Sequence, residues 1–157
     1  KDFGKPTSSQ LIRDGKRRRN VLFGKLQMFV YDPKLKAKLP YYDSFPLVLP
    51  IEQYKDGFLG LNLHYLPIGL RVRLLDRLVD FSNNDKFDET TRLVADYAKL
   101  KNVRLIRPCV KRYLSSKVKS QFRRIDADEF TVATLLPVAR FKKASANAVY
   151  RDSRRMI

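Results

Sequence analysis

The residues best suited to acid–base chemistry lie between positions 41 and 65. They are three tyrosines, two acids, an amide and the only histidine: Tyr41, Tyr42, Asp43, Glu52, Asn62, His64 and Tyr65. In an enzyme, His64 would act as a general base oriented by Asp43 or Glu52. The alternative is that His64 is a half-buried strand residue with satisfied hydrogen bonds, and that the tyrosines belong to a core or an interface. We favour this alternative and expect no catalytic residue, because a lone histidine without a placed nucleophile is weak evidence for catalysis.

The remaining acids, the glycines and the cysteine predict neither a metal ion nor a cofactor. A metal-dependent nuclease needs several carboxylates converging on one or two ions, but the acids are scattered over turns and predicted helix faces. Neither the P-loop pattern nor the dinucleotide-binding glycine pattern occurs. The single cysteine, Cys109, excludes an internal disulfide and a multi-cysteine zinc site, and it suits a reducing compartment. No apolar run reaches the roughly 18 residues of a membrane span.

Charge is the stronger signal. The chain carries 33 Lys and Arg against 16 Asp and Glu, a net charge of +17. Residues 1–26 hold eight basic and two acidic residues, residues 101–157 hold fifteen and four, and residues 27–100 hold ten of each. Basic surfaces attract phosphates and gain affinity by releasing counterions, although an acidic protein surface would also fit. Ten residues are candidate contacts to a polyanion or an acidic partner: Lys16, Arg17, Arg18, Arg19, Lys111, Arg112, Lys117, Lys119, Arg123 and Arg124.

These ten basic residues fall in two parts of the chain, each of which must position its own set. Residues 1–25 are predicted to form an extended basic arm, because they contain too little apolar surface to fold alone. Their scattered apolar residues, such as Leu11 and Phe23, indicate an arm that becomes ordered on a partner. Residues 26–157 are predicted to form a single α+β domain, β-rich over 26–66 and helical and basic over 67–157.

The β-rich part is predicted to be a small, SH3-like antiparallel unit packed on several helices. Strands are expected over 26–31, 46–53 and 58–65, and the two prolines of the second strand predict an edge or bulged position. Asp56-Gly57 predicts a hairpin turn with a positive φ at Gly57.

Apolar spacing predicts the helices. The first begins at Pro67, with Leu74 and Leu75 on its apolar face and Arg71 on its solvent face. Others are expected near 88–100, from Pro108 to 118, over about 126–136, and after an N-cap at Ser145, with a short strand over 121–125.

Four stretches of the sequence are distinctive: Tyr-Asp-Pro-Lys at 31–34, Leu-Pro-Tyr-Tyr-Asp-Ser-Phe-Pro-Leu-Val at 39–48, Gly-Phe-Leu-Gly-Leu-Asn-Leu-His-Tyr-Leu at 57–66 and Arg-Asp-Ser-Arg-Arg at 151–155. Together they resemble a family of small virion proteins of T4-like tailed bacteriophages. The similarity covers most of residues 27–155. It implies a structural component of the tail, baseplate or head–tail region; the other role it implies is protection of the packaged DNA end. It implies no catalytic residues.

We therefore expect a non-enzymatic virion assembly protein that binds its neighbours through its arm and its basic surfaces. The expected partners are virion proteins with acidic surfaces in a symmetric multi-subunit assembly, with DNA as another partner and no membrane. The expected location is the virion, and the host cytoplasm during assembly. One alternative is a DNA-binding protein that protects or holds the packaged genome end. The other is a small nuclease or ribonuclease that uses His64 and Asp43, which rests on analogy of fold.

Overall fold

The computed structural model describes residues 16–18, 20–82, 104–125, 129–135 and 137–157. Eight strands and three α-helices lie in these ranges: β1 (Lys16–Arg18), β2 (Gln27–Met28), β3 (Tyr42–Asp43), β4 (Leu47–Tyr54), β5 (Gly57–Asn62), α1 (Ile68–Ser82), β6 (Val110–Leu114), β7 (Phe122–Arg124), α2 (Phe130–Leu135), β8 (Phe141–Lys142) and α3 (Ala146–Met156). Short 3₁₀ segments occupy Leu63–Tyr65, Arg104–Cys109 and Ser115–Lys117. The predicted helix near 88–100 lies outside these ranges.

The strands form two antiparallel sheets. The larger has the order β1-β7-β2-β4-β5-β6, and β3 pairs with β8 in the smaller one. Beyond β2 the chain remains beside the segment that leads into β7, because Tyr31 forms a bridge with Val118 and the Lys119 amide donates to the Val30 carbonyl at 2.8 Å. The α+β prediction and the short strand predicted at 121–125 are confirmed.

The strand predicted over 46–53, which contains two prolines, corresponds to β4; it is bulged and lies inside the sheet. β4 pairs with β2 on one side and with β5 on the other. Its register with β5 shifts between Pro50 and Glu52, so the residue that lacks an N–H falls at an irregularity of the ladder. Of the two predicted arrangements, the bulge is correct and the edge position is wrong.

The predicted hairpin joins β4 to β5, with Tyr54 opposite Gly57 and the turn at Lys55 and Asp56. The positive φ predicted for Gly57 is wrong. In the described ranges the glycine with positive φ is Gly24, whose φ is 79°. Gly57 is required by close packing instead, since a Cβ atom there would lie 1.9 Å from the carbonyl oxygen of Tyr113 in β6.

Apolar residues cover both faces of the central strands. The helix-side core combines sheet residues such as Leu47 and Leu61 with Leu74 of α1 and Ala133 of α2. The opposite face holds an aromatic core, formed by Phe29, Tyr31, Val48, Phe58, Tyr113 and Phe122. Most of its ring pairs pack edge to face, with centroids 5.0 Å apart for Phe29 and Phe122, whereas Phe58 and Tyr113 are stacked.

The helix predicted from Pro108 to 118 is wrong. Pro108 lies within the 3₁₀ segment, and the next five residues form β6, which pairs with β5 along its length. Val110, Tyr113 and Leu114 have a spacing that fits a helix, but pairing with β5 places Tyr113 in the aromatic core. The neighbouring Cys109 is fully buried, and burial raises the pKa of its thiol to about 12.

The other described helices agree with their sequence signals. In α1, Leu74 and Leu75 are buried as predicted, but Arg71, predicted to face solvent, is only 1% exposed. Helix α3 begins as predicted, because the Ser145 hydroxyl accepts a hydrogen bond from the Ala148 amide at 3.1 Å. No helix in the described ranges is both long enough and apolar enough to cross a membrane.

Candidate nucleic-acid interface

Two of the predicted basic clusters meet in the sheet. β1 pairs with β7, so that Lys16 lies opposite Arg124 and Arg17 lies opposite Arg123. Like charges paired directly across a ladder destabilise it unless an anion offsets them. The pairing of β1 with β7 thus brings basic residues from the two ends of the chain together at one edge of the sheet. Arg19, also a predicted contact, lies outside the described ranges.

Arg123 is held inside the protein rather than presented to solvent. Its side chain is 8% exposed, and its Nη1 and Nη2 atoms lie 3.1 and 2.6 Å from the two carboxylate oxygens of Glu129. Such a bidentate pair is among the stronger polar contacts in proteins. In this conformation Arg123 ties β7 to the residue that precedes α2, and we assign it a supporting role.

Lys111 and Arg112 project from β6 and contact tyrosines. The Arg112 guanidinium pairs with Asp56 and lies 4.0 Å from the ring centroid of Tyr54. The Lys111 ammonium lies 4.0 Å from the ring centroid of Tyr65, and burial lowers the pKa of this lysine. Both residues line the cleft described below.

Lys117 and Lys119 lie beside a loop that carries three further exposed lysines. The Asp32 amide donates to the Lys117 carbonyl at 3.0 Å, and the Lys36 ammonium lies 2.8 Å from the Asp32 carboxylate. A hydrogen bond from Lys36 lowers the pKa of Asp32, and the charges of Lys119 and Lys117 add to the effect. The exposed lysines of the loop are Lys34, Lys36 and Lys38. Charge counted over residues 27–100, which are neutral on average, does not reveal these lysines, although their alternate spacing is visible in the sequence.

A cleft of about 500 Å³ opens between this loop and β6. Five tyrosines line it: Tyr31, Tyr41, Tyr42, Tyr65 and Tyr113. Tyr41 and Tyr42 are partly exposed, whereas the others form its buried wall. Burial raises the pKa of Tyr31, Tyr41, Tyr65 and Tyr113, so these four phenols stay protonated at neutral pH. We call this site the tyrosine cleft.

The predicted pair of Asp43 and His64 does form, but it is buried. His64 Nδ1 lies 2.8 Å from Asp43 Oδ2, and the two side chains are 0% and 1% exposed. The same Asp43 oxygen accepts from the Asn62 amide at 3.1 Å, and Oδ1 accepts from the backbone amides of Phe45 and Arg140. A polymeric substrate cannot reach this pair, so the geometry favours the structural interpretation over the nuclease one. That interpretation is wrong in detail: His64 is fully buried in a 3₁₀ turn, not half-buried in a strand, and its Nε2 atom has no hydrogen-bond partner among the described residues.

These contacts also set the charge of Asp43. Burial by itself raises the pKa of Asp43, but His64 and the hydrogen-bond donors outweigh burial and hold the pKa below its ordinary value. The ionised carboxylate therefore joins the segment before β4 to the end of β5 and to Arg140. Glu52, the other candidate partner of His64, is exposed and lies 3.2 Å from the Tyr54 hydroxyl.

Arg71 is a second buried charge that the sequence analysis did not identify. Its guanidinium donates to the carbonyl oxygens of Leu66, His64 and Thr134 at 2.6 to 3.2 Å, and to the Tyr150 hydroxyl at 2.7 Å. Burial lowers its pKa. Arg71 thus joins the 3₁₀ turn after β5 to α2 and α3. Helical periodicity could not reveal this, because the acceptors come from distant parts of the chain.

Comparison with known proteins gives one family match. Residues 5–153 match the family described as phage T4 terminal DNA protecting protein. No curated protein and no solved structure matches the chain. The match confirms the resemblance to T4-like phage proteins, but it overturns the expected role in tail, baseplate or head–tail assembly. It agrees better with the alternative, a protein that acts at the packaged DNA end.

Proposed function

The chain belongs to the family of the phage T4 terminal DNA protecting protein, and from this premise we propose that it binds the ends of phage DNA and shields them without catalysing a reaction. The observation that supports this most directly is the pairing of β1 with β7, which brings basic residues from the two ends of the chain together. An end-protecting protein needs contacts to phosphates, and such contacts require no base recognition.

The phosphate contacts are proposed to follow a basic track, defined by Lys16, Arg17, Arg18, Lys117, Lys119 and Arg124. Arg124 lies in β7, and Lys119 lies five residues earlier in a segment that pairs with the chain after β2. Five extended residues cover at most about 17 Å, roughly five base-pair steps of duplex DNA. The track is therefore long enough to contact several phosphates near one end.

We also propose an SH3-like arrangement for β2, β4, β5, β6 and β7. The supporting observations are their order in the sheet, β7-β2-β4-β5-β6, the 3₁₀ turn between β6 and β7, and the aromatic core on one face. The domain is proposed to include Lys16–Arg18 and residues 20–25, since Val21 and Phe23 pack against the aromatic core. Removing residues 1–15 should then leave the melting temperature unchanged, whereas removing residues 1–25 should lower it.

The proposed function can be tested with DNA molecules that differ only in whether they have ends. We expect the protein to protect a linear duplex from an exonuclease, and an unlabelled linear duplex to compete for binding better than a covalently closed circle of the same sequence. Equal competition by the closed circle would contradict end recognition.

The basic track can be tested by removing charge. The combined variant Lys16→Gln, Arg17→Gln, Arg18→Gln should bind a linear duplex roughly 10- to 150-fold more weakly, if each of the three contacts is worth about 0.5–1 kcal/mol. The matched control removes three exposed charges outside the track: Arg73→Gln, Arg104→Gln and Arg107→Gln. An equal loss in both variants would indicate that only net charge matters.

A further inference from the structure

We propose that the tyrosine cleft receives the terminal nucleotide of a DNA end, with the base stacked on tyrosine rings and the phosphate bound by Lys111 and Lys34. This inference rests on the proposed function and extends it, because it explains how an end would be distinguished from the middle of a duplex. A terminal nucleotide can leave the base stack, whereas an internal one is held by neighbours on both sides.

The wall of the cleft suits a nucleobase. Tyr41 and Tyr42 are partly exposed, and the Tyr41 ring centroid lies 6.1 Å from that of the buried Tyr65, with the two planes tilted by 34°. Aromatic rings stack with any base, so binding would not depend on the terminal sequence. The volume of about 500 Å³ falls within the range of roughly 300 to 1,000 Å³ usual for small-molecule sites.

Lys111 favours an anion in this cleft. Its ammonium lies over the Tyr65 ring, and among the residues the structure describes no carboxylate forms an ion pair with it. Burial leaves the charged form of Lys111 poorly solvated and so lowers its pKa. A phosphate would supply the missing counter-charge, and the exposed Lys34 in the cleft wall would provide a second contact.

The two acidic residues that line the cleft, Asp43 and Asp56, do not prevent a phosphate from binding there, because both already have partners. Asp56 is paired with Arg112, which also lines the cleft. Asp43 is buried and accepts hydrogen bonds from two backbone amides and from Asn62, and it lies beside His64. Because Arg112 and Asp56 offset each other, the basic side chains of the cleft that remain to attract an anion are Lys34 and Lys111.

The position of the cleft relative to the basic track supports the same occupant. The loop that forms one side of the cleft begins after Tyr31, and Tyr31 forms a bridge with Val118, between Lys117 and Lys119 of the track. A DNA strand on the track would thus have its terminus within reach of the cleft. Aromatic grooves also bind proline-rich peptides, but such a peptide would not need the basic wall.

The test is to compare two DNA probes of the same sequence. One is a duplex with a single unpaired nucleotide at each end, and the other is closed at both ends by hairpin loops. The double variant Tyr41→Leu, Tyr42→Leu should bind the open probe roughly 5- to 150-fold more weakly, the range expected from losing one stacked base. Its affinity for the closed probe should change less than twofold. A terminal 2-aminopurine should lose its fluorescence on binding to the unaltered protein and retain it with the variant.

A second variant tests the inference even if the tyrosine variant fails to fold. Lys34 is exposed, so Lys34→Gln should leave the fold intact and weaken binding of the open probe roughly 2- to 5-fold, the scale of one exposed ionic contact. The control is Lys55→Gln, which removes the same charge from an exposed turn outside the cleft. Equal effects of these two variants would overturn the inference.

The outcomes separate the two proposals. If the unaltered protein shows no preference for the open probe, the proposed function itself fails. If it prefers open ends and the tyrosine variant keeps that preference, the cleft inference is overturned and the proposed function stands. A proline-rich peptide that fills the cleft without weakening end binding would also overturn the inference.

Discussion

Asp43 is the residue whose charge the buried network depends on most. Its pKa is held below the ordinary value of 3.8 in the folded protein. The folded state therefore binds fewer protons than the unfolded state. The resulting stabilisation is fully present above about pH 5 and is lost as the pH falls through 3.8 and then through the folded-state pKa.

Replacing Asp43 by Asn should test this dependence. We expect Asp43→Asn to lower the free energy of unfolding at pH 7 by about 1–3 kcal/mol, because an amide cannot accept all the hydrogen bonds of the carboxylate. The variant should also lose less stability than the unaltered protein between pH 5 and pH 3, measured by urea unfolding. Asp76→Asn, at an exposed site on α1, serves as the control, and an unchanged acid dependence in Asp43→Asn would refute the argument.

Arg71 offers a second test at the level of single residues. Arg71→Met keeps much of the side-chain volume but leaves three buried carbonyl oxygens and the Tyr150 hydroxyl without this donor. We expect a loss of about 2–4 kcal/mol and a fall in melting temperature of roughly 5–15 °C. Arg73→Met, two residues along the same helix and exposed, should have little effect. Similar melting temperatures for the two variants would show that the Arg71 contacts contribute little.

Two glycines in different elements should respond oppositely to alanine. In the β4–β5 hairpin, Gly57→Ala would place a methyl group against the Tyr113 carbonyl, and we expect a loss of about 1–3 kcal/mol. In α1, a Cβ atom at Gly69 would contact nothing within 4 Å, and Gly69→Ala should stabilise the protein by up to about 1 kcal/mol through helix propensity. Thermal unfolding of both variants measures the difference, and a stable Gly57→Ala protein would contradict the close approach.

The elements predicted correctly are those whose signals are local. The β4–β5 hairpin, the cap at Ser145 and the strand at 121–125 each depend on a few adjacent residues, although the hairpin turn lies at Lys55 and Asp56 rather than at Asp56 and Gly57. The segment 110–114 was assigned wrongly because its state is decided by pairing with β5, some fifty residues away. Arg71 was wrongly predicted to face solvent, because helical spacing does not reveal the distant acceptors that hold its side chain inside the protein.

The candidate interface was also only partly predictable from the sequence, because it depends on long-range contacts. Charge counting found the basic clusters at both ends of the chain, but their pairing across β1 and β7 is a long-range contact that composition does not encode. The tyrosine cleft draws its lining from residues 31 to 114. Only Tyr41, Tyr42 and Tyr65 of its five tyrosines were singled out, and they were assigned to a core or an interface.

At the scale of the whole molecule, the net charge of +17 predicts that the proposed DNA binding weakens as salt concentration rises. The logarithm of the binding constant should fall linearly with the logarithm of salt concentration, by about 0.9 for each phosphate contacted. The track variant Lys16→Gln, Arg17→Gln, Arg18→Gln should reduce this slope by about 3, whereas the Arg73, Arg104 and Arg107 control should leave it nearly unchanged. Titrations at several salt concentrations give both slopes, and identical slopes would place the phosphate contacts elsewhere.

The burial of Cys109 has a practical consequence. It is the only cysteine of the chain, and burial both encloses its thiol and raises the thiol pKa to about 12, so that the thiol is protonated at neutral pH. A second cysteine introduced at an exposed site, such as Lys38→Cys beside the cleft, would then be the one thiol that maleimide reagents modify. A dye or photo-crosslinker attached there would report the arrival of DNA without any alteration of the native sulfur.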